Sequence, residues 1–137
     1  MRDAEFPTQA NPSTSVANSQ RSVELSATVA DPTTRVRAVN DAFRRSFVGG
    51  QMVETPSVVE LLESDHIALL LAVRCFSSFN PDNDPYDEHD FGAVEVGGQR
   101  FLWKIDAYDR ALLGGSPDPA DPAVTTRVLT IMRADEY

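Results

Sequence analysis

The sequence predicts an α+β domain in which a small antiparallel sheet of three to four strands packs against two helices. Two observations lead to this prediction. A Gly-Gly pair at 97–98 separates two alternating segments, which is typical of a β-hairpin with a two-residue turn. Two longer segments, at about 33–47 and 65–78, have the length and the apolar spacing of helices.

The hairpin is the element that the sequence specifies best. Both central residues of a type I′ turn need a positive φ, and the glycines at 97–98 adopt it without steric cost. The turn then sets the register of two strands at about 91–96 and 99–106. In that register Gly92 lies opposite Trp103, so that the residue without a side chain faces the indole.

The same register makes predictions about the core and about the open end of the hairpin. Continued outward, it places His89 opposite Asp106, which would bring the acidic loop before the hairpin close to the acidic turn after it. One face of the hairpin carries large apolar side chains and is the expected core face. These residues are Val94, Val96, Phe101, Trp103 and Ile105.

Two helices are expected to cover one face of the sheet. The first, at about 33–47, places apolar side chains on one stripe at helical spacing. These side chains are Val36, Val39, Phe43 and Phe47. The second helix, at about 65–78, begins behind Ser64 and contains a long apolar run. Because that run is too continuous for a surface helix, we expect this helix to be the most buried one.

Two further segments complete the expected sheet. A short strand is predicted at about 51–55, and a β-branched, alternating strand at about 126–132 should pair antiparallel with the hairpin. Residues 1–32 are rich in small polar residues and prolines, so we expect a flexible arm in front of a single domain at 33–137. Whether residues 22–30 add a strand is left open.

The composition excludes several classes of protein. With one cysteine, Cys75, the chain cannot build a disulfide framework, and the apolar run around it favours a buried side chain. No segment has the ~18 apolar residues of a membrane span, and the N-terminus lacks the apolar region of a signal peptide, so we expect a cytoplasmic protein without membrane contact. A net charge of −9 argues against direct binding to nucleic-acid phosphates.

Most of the negative charge lies in one stretch of the chain. Residues 82–121 hold ten Asp or Glu against three Lys or Arg, a net charge of −7 out of −9 for the whole sequence. This concentration favours binding to a protein whose own surface is basic. The expected partner-binding residues are Asp82, Asp84, Asp87, Glu88, Asp90, Asp106, Asp109, Asp118 and Asp121.

A catalytic role is the alternative for part of the same stretch. His89 facing Asp106 would resemble the general base and the acid that orients it in a catalytic triad, with Asp90 beside them. No residue is marked as the nucleophile, although Ser116 or Thr125 could lie near. A small hydrolase or nuclease built on these residues is therefore kept as a second hypothesis.

A metal site is not expected from the sequence. The stretch 82–90 lacks the glycine and the final glutamate of an EF-hand loop, and only His89, Asp90 and Asp106 are placed to converge as ligands. Asp-Pro and Asn-Asp steps form turns, and Asp side chains cap loop N–H groups, which can account for many of these carboxylates. We therefore expect neither a metal nor another cofactor.

Several linked motifs resemble one protein family, catalogued as domain of unknown function 3768. The motifs are DNDP at 82–85, EHDFG at 88–92, WKID at 103–106, YDR at 108–110, GSPDPADPAVTTRVLTIM at 115–132 and the terminal EY. The resemblance spans about 34–137, with Asp87 in place of the usual glycine and Ala107 in place of the usual aromatic residue. It implies no reaction, cofactor or catalytic residue. It does imply a bacterial protein, often encoded on mobile elements beside anti-restriction genes.

Three functions of different classes follow as hypotheses. The first is an acidic, non-enzymatic inhibitor encoded on a mobile element, which acts against host defence as an anti-CRISPR or anti-restriction protein. It would dock on the basic nucleic-acid-binding surface of a defence complex, as a DNA mimic or a surface blocker. The second is the metal-dependent or His/Asp hydrolase or nuclease, and the third is an antitoxin-like accessory protein. The oligomeric state stays open under all three.

Overall fold

A four-stranded mixed sheet and three helices make up the fold of residues 30–137, which are the residues that the computed structural model describes. The helices are α1 (Pro32–Ser46), α2 (Pro56–Val59) and α3 (Glu63–Arg74). The strands are β1 (Gln51–Glu54), β2 (Phe91–Val96), β3 (Gln99–Tyr108) and β4 (Thr126–Arg133), in the spatial order β1-β4-β3-β2. The α+β fold class is confirmed, with one additional short helix, α2.

The hairpin of β2 and β3 forms in the register that the sequence predicts. Gly97 and Gly98 have φ angles of 59° and 77°, as a turn with two left-handed central residues requires. Gly92 pairs with Trp103. A Cβ atom at position 92 would lie 2.5 Å from the indole Nε1, so the absence of a side chain there leaves the space that the ring of Trp103 occupies.

The sheet is not entirely antiparallel, because β1 pairs parallel with β4. Gln51 lies beside Val128 and Glu54 beside Ile131, while β4 runs antiparallel to β3. An alternating side-chain pattern is the same for either strand direction, so the sequence pattern could not reveal this. Two parallel strands require a long crossover connection between them. The chain between β1 and β4 contains two helices and the hairpin and is therefore long enough for such a connection.

The core lies between the helices and one face of the sheet. Its buried members are Phe43, Val58, Leu69, Val73, Phe101, Trp103, Ile105, Leu129 and Ile131, with Val94 and Val96 packed against them. The predicted core face of the hairpin is therefore confirmed.

The prediction that the second long helix is the most buried one is wrong. In α3 only Leu69 and Val73 are buried, whereas Ile67 and Leu71 are 50% and 51% exposed. The apolar run extends around the whole helix, but a helix above a sheet can bury only one face. The helix also begins earlier, at Glu63, and ends earlier than predicted, at Arg74.

Cys75 is exposed, which corrects the expectation that it is buried. It follows the last residue of α3 and shares the outer side of that helix with Leu71. The expectations about a flexible arm at 1–32 and a strand within 22–30 concern residues that lie almost entirely outside the described part of the chain. None of the helices between residues 30 and 137 is long and apolar enough to cross a membrane.

Candidate functional site around His89

A solvent-open pocket lies at the loop between α3 and β2. It has a volume of about 370 Å³. The residues that line it are Phe79, Asn80, Pro81, Asp84, Pro85, Asp87 and His89. We refer to it as the His89 pocket, because His89 presents the one imidazole among these side chains.

The imidazole of His89 is held from two sides. Its Nδ1 lies 2.9 Å and 3.1 Å from the two carboxylate oxygens of Asp41 in α1. Its ring stacks on Phe79 with a centroid distance of 3.7 Å and an interplanar angle of 2°. Because a carboxylate accepts hydrogen bonds, Nδ1 carries a hydrogen and donates it to Asp41, and Nε2 lies on the side of the ring that faces Asp84 and Asp87 in the pocket.

Asp41 is itself fixed and ionised. Nη1 of Arg44 donates to its Oδ1 over 2.9 Å, and Nη2 of Arg44 donates to the carbonyl oxygen of Phe76. Burial by itself would raise the pKa of Asp41, but the hydrogen bonds from His89 and Arg44 outweigh it and hold the pKa below its usual range. The pair of Asp41 and His89 therefore has the geometry of an imidazole with its orienting carboxylate.

Two further carboxylates face the other nitrogen of the ring. Asp84 is buried, and its Oδ1 accepts the backbone N–H groups of Glu88 and His89 over 3.0 Å and 3.1 Å. Its Oδ2 is 3.6 Å from Nε2 of His89, and Oδ1 of Asp87 is 4.0 Å from the same nitrogen. One ligand atom from each of these three residues lies within 4.8 Å of the others.

The backbone of this loop is turned by left-handed residues. Asp87 and His89 have φ angles of 59° and 55°. Consequently the chain joins the hairpin ladder only at Asp90, whose carbonyl accepts the N–H of Ile105, and no pairing of His89 with Asp106 forms. The predicted pairing of His89 with Asp106 is wrong. His89 instead meets Asp41, which lies 48 residues away in the sequence.

A buried polar network joins the loop of the His89 pocket to α1 and β4. Arg44 is fully buried, and its guanidinium lies 5.3 Å and 5.2 Å from the ring centroids of Phe79 and Trp103. Asn40 links two other parts of the chain, since it donates to the carbonyl oxygen of Glu88 and accepts from Nε of Arg127. These contacts fix α1 to the loop that carries His89.

Sequence reasoning missed Asn40, Asp41, Arg44 and Arg127. A usable signal was present in α1, where Asn40 and Arg44 follow Val36 at intervals of four and so share the apolar stripe. A polar residue on a core-facing stripe must find a partner or remain outside, and here both residues are buried with partners.

Four acidic residues form a carboxylate cluster at the open end of the hairpin: Asp84, Glu88, Asp90 and Asp106. Burial raises the pKa of Asp90, and the charges of Asp84 and Asp106 raise it further. Burial also raises the pKa of Glu88, with further contributions from Asp90 and Asp84. Lys104 forms an ion pair with Asp106 at 3.1 Å, His89 lies 3.6 Å from Asp84, and the charge of Arg127 acts on Glu88. The raised pKa values of Asp90 and Glu88 show that repulsion among the carboxylates still remains.

The other predicted partner-binding residues serve mainly as loop caps. Asp109 accepts the N–H of Leu113, Asp118 that of Ala120, and Asp121 that of Ala123. Asp82 is exposed beside the pocket-lining residue Pro81. Carboxylates at such turns are explained by local structure alone.

The two candidate nucleophiles bind each other. The hydroxyls of Ser116 and Thr125 are 2.7 Å apart, and Thr125 also donates toward the carbonyl oxygens of Asp118 and Asp121. Thr125 is buried, and neither hydroxyl has His89 as a hydrogen-bond partner. The arrangement therefore closes the loop before β4 rather than completing a catalytic triad.

Comparison with known proteins identifies a family and no more. A family model described as "Protein of unknown function (DUF3768)" matches residues 54–136, which is more than half of the chain. Searches of the curated proteins and of the solved structures returned no match. The matched part contains the acidic loop, the hairpin and β4, whereas Asp41 and the rest of α1 precede it. The chain therefore belongs to the DUF3768 family of proteins of unknown function.

Proposed function

We propose that the His89 pocket binds a divalent transition-metal cation through Nε2 of His89 and one carboxylate oxygen each of Asp84 and Asp87. The observation that supports this most directly is the convergence of three ligand atoms within 4.8 Å of one another. Ligand atoms about 2.1 Å from a tetrahedral metal ion stand roughly 3.4 Å apart. The separations of 3.6 Å and 4.0 Å from Nε2 are close to this spacing, and the two carboxylate oxygens lie within 4.8 Å of each other.

The surroundings of these ligands favour metal binding over a simple surface turn. Histidines that bind metals usually donate their second ring N–H to a carboxylate, which orients the ring and makes the ligating nitrogen more basic. Asp41 occupies that position here. Asp84 uses one oxygen to accept two backbone N–H groups, so its other oxygen is held toward the pocket.

The ligand set indicates the class of cation and its chemical use. An imidazole with two carboxylates suits Zn²⁺ or Mn²⁺ better than Ca²⁺, which prefers six or more oxygen ligands. Three protein ligands leave a coordination position for water, as in catalytic rather than closed structural sites. A cation held here would therefore be suited to activating a water for hydrolysis.

The experiment uses the second histidine of the chain as a matched control. His66 also contacts a carboxylate, with Nε2 2.7 Å from Oε2 of Glu54, but no third ligand joins it in the described residues. Isothermal titration with Zn²⁺ and Mn²⁺ should show one site in the native protein and in His66→Gln. His89→Gln should bind at least about tenfold more weakly, because it removes the only nitrogen ligand.

One further variant tests the orienting role of Asp41, and a cleavage assay tests hydrolysis. Asp41→Asn should weaken the affinity by about 10- to 100-fold although Asp41 does not touch the cation, since it loses the charge that orients the ring. Cleavage of bis(p-nitrophenyl) phosphate with Mn²⁺ should be lost in His89→Gln and kept in His66→Gln. The proposal would be overturned if His89→Gln bound Zn²⁺ and Mn²⁺ with the same affinities as the native protein.

A second candidate function, favoured by the carboxylate cluster, is docking on a basic protein surface. The proposed partner is a nucleic-acid-binding protein or defence complex, against which the protein would act as an anti-CRISPR or anti-restriction inhibitor. Its support is the net charge of −9 and the self-repulsion around Asp90, which a cationic surface would relieve. Asp109, Asp118 and Asp121 cap turns, so their carboxylates are explained without docking and give this hypothesis no separate support.

Charge reversal distinguishes docking from cation binding. The double variant Glu88→Lys with Asp106→Lys should abolish protection of a phage or plasmid in a bacterium with an active defence system. A control with Glu60→Lys and Glu95→Lys changes the net charge equally but leaves the cluster intact. His89→Gln should retain protection if docking is the function. Full protection by the Glu88 and Asp106 double variant would exclude the docking hypothesis.

A further inference from the structure

The strand β1 leaves one edge of the described sheet open. Among the described strands it pairs with β4 alone, and the N–H of Thr55, directly after β1, donates to the carbonyl oxygen of Ile131 in β4. Because main-chain groups point to alternate sides along a strand, those of Val53 also face β4, whereas those of Met52 and Glu54 face away from the sheet. The N–H and C=O groups of Met52 and Glu54 form no hydrogen bond with any described residue, and we refer to these groups as the β1 edge.

Most of the features that keep edge strands from pairing with other chains are absent from β1. Such strands commonly carry a lysine, a proline or a bulge. The strand Gln51–Glu54 contains neither lysine nor proline, and it pairs with β4 residue for residue without a bulge. Its shortness limits the number of hydrogen bonds that an added strand can form. A segment that binds here therefore also needs favourable side-chain contacts.

Apolar side chains are exposed on both faces of the sheet at the β1 edge. Met52 lies beside a core residue of β4, on the face that the helices cover, and is 38% exposed. Val53 points to the opposite face and is 44% exposed. The neighbouring segments carry further exposed apolar side chains, at Val48, Val59 and Leu62. A strand added at the β1 edge would shield Met52 and Val53 from water, which favours its binding.

The part of the chain that carries the β1 edge is acidic. Between residues 46 and 73 there is no Lys or Arg, and the acidic residues are Glu54, Glu60, Glu63 and Asp65. Only Glu54 among them contacts a basic side chain in the described residues, His66, which also places the start of α3 beside β1. Charge complementarity therefore favours a basic segment at this edge. It disfavours a second copy of this chain, whose net charge is −9.

We propose that the β1 edge binds an extended segment of a partner protein, rich in basic and β-branched residues, as a fifth strand of the sheet. Main-chain hydrogen bonds to Met52 and Glu54 align the segment, as in other cases of strand addition. Its alternate side chains then reach the two faces of the sheet, with apolar side chains beside Val53 and basic side chains beside Glu54. This proposal is independent of the function of the His89 pocket.

Synthetic peptides test the chemistry of the segment. The probe is the peptide KVKVKVK with fluorescein at its N-terminus, which places lysines and valines on opposite faces of an extended strand. Its fluorescence anisotropy should rise on titration with the native full-length protein. The peptide EVEVEVE should bind at least about tenfold more weakly, because the β1 edge has acidic surroundings. KVKVKVK with every main-chain nitrogen methylated keeps the charge but cannot donate, so it should also bind at least about tenfold more weakly. Equal binding of the methylated peptide would overturn the proposal.

Proline substitutions on the two edges of the sheet locate the binding site. Met52→Pro removes an N–H that faces away from the sheet, so the fold should form while KVKVKVK binds at least about tenfold more weakly. Ala93→Pro is the matched control on β2, where the N–H of residue 93 also faces away, since the carbonyl of Asp90 accepts the N–H of Ile105. It should bind the peptide as the native protein does.

Three outcomes would contradict strand addition at the β1 edge. The first is native affinity for KVKVKVK in Met52→Pro, and the second is an equal loss of affinity in Met52→Pro and Ala93→Pro. The third is a native dimer in sedimentation equilibrium that Met52→Pro dissociates, since a second copy would then occupy the edge. Melting temperatures show whether Met52→Pro folds, and the methylated peptide tests the proposal on the native protein if it does not.

Discussion

Arg127 in β4 donates its Nε hydrogen to Oδ1 of Asn40 in α1 over 2.8 Å, although the two residues are 87 positions apart. Both side chains are buried, and Nη2 of Arg127 also donates to the carbonyl oxygen of Pro119. Asn40 completes the link by donating to the carbonyl oxygen of Glu88. One amide thus connects the last strand, the first helix and the loop of the His89 pocket.

Removing that amide should destabilise the protein considerably. Asn40→Ala leaves a buried guanidinium N–H and the carbonyl oxygen of Glu88 without partners, for which we expect a loss of about 2–3 kcal/mol. In a domain of this size the melting temperature should fall by roughly 10 °C. Ala38→Gln, at an exposed position of the same helix, should change stability by less than about 0.5 kcal/mol. Equal melting temperatures would show that the network is dispensable.

A methyl group at position 92 should also destabilise the fold. The Cβ atom of Gly92→Ala would lie 2.5 Å from Nε1 of Trp103 and 2.9 Å from a ring carbon of Phe76. The core would have to shift, at a cost of about 1–3 kcal/mol in the free energy of unfolding. Gly115→Ala is the control, because its Cβ meets nothing within 4 Å. Denaturant unfolding of both variants measures the difference, and a native value for Gly92→Ala would mean that the core is loosely packed.

The hairpin turn tests backbone strain without a steric clash. Gly98 has a φ of +77°, and a Cβ atom added there would meet no other atom within 4 Å. Gly98→Val should therefore lose about 1–2 kcal/mol through the left-handed conformation alone. Gly98→Asn should lose less, because asparagine tolerates that conformation. If the Gly98→Val and Gly98→Asn variants have equal melting temperatures, residue 98 does not need the left-handed conformation and the turn is not of type I′.

The carboxylate cluster should make stability fall as the pH rises from acid to neutral. The raised pKa of Asp90, which is due first to burial and then to Asp84 and Asp106, means that the folded state favours the protonated form. Its contribution to stability is present below the ordinary carboxyl pKa of about 4 and is lost as the pH rises through the folded-state pKa.

The test of this pH dependence is a neutral substitution. Asp90→Asn should have a higher melting temperature than the native protein at pH 7, and the difference should vanish below about pH 4. Glu95→Gln removes the same charge from the exposed face of the hairpin and controls for the overall net charge. A melting temperature at pH 7 that is unchanged or lower in Asp90→Asn would contradict the repulsion described for the cluster.

What the sequence determined by itself was local. Gly97 and Gly98 fixed the hairpin register through their left-handed conformations, and Gly92 opposite Trp103 followed from that register alone. Apolar spacing likewise located α1 and β4 to within about one residue at each end. These features depend on neighbours within a few residues or on one turn, so the pattern of a short segment contains the information they need.

Only the tertiary structure decided the partner of His89, the direction of β1 and the exposed side of α3. Asp41 reaches His89 because α1 packs beside the acidic loop, and left-handed residues at 87 and 89 turn the ring away from Asp106. The parallel edge and the exposed side of α3 arise from how whole elements stack. A side-chain pattern describes which face of an element is apolar, but the contacts between elements far apart in the chain depend on packing that no short segment specifies.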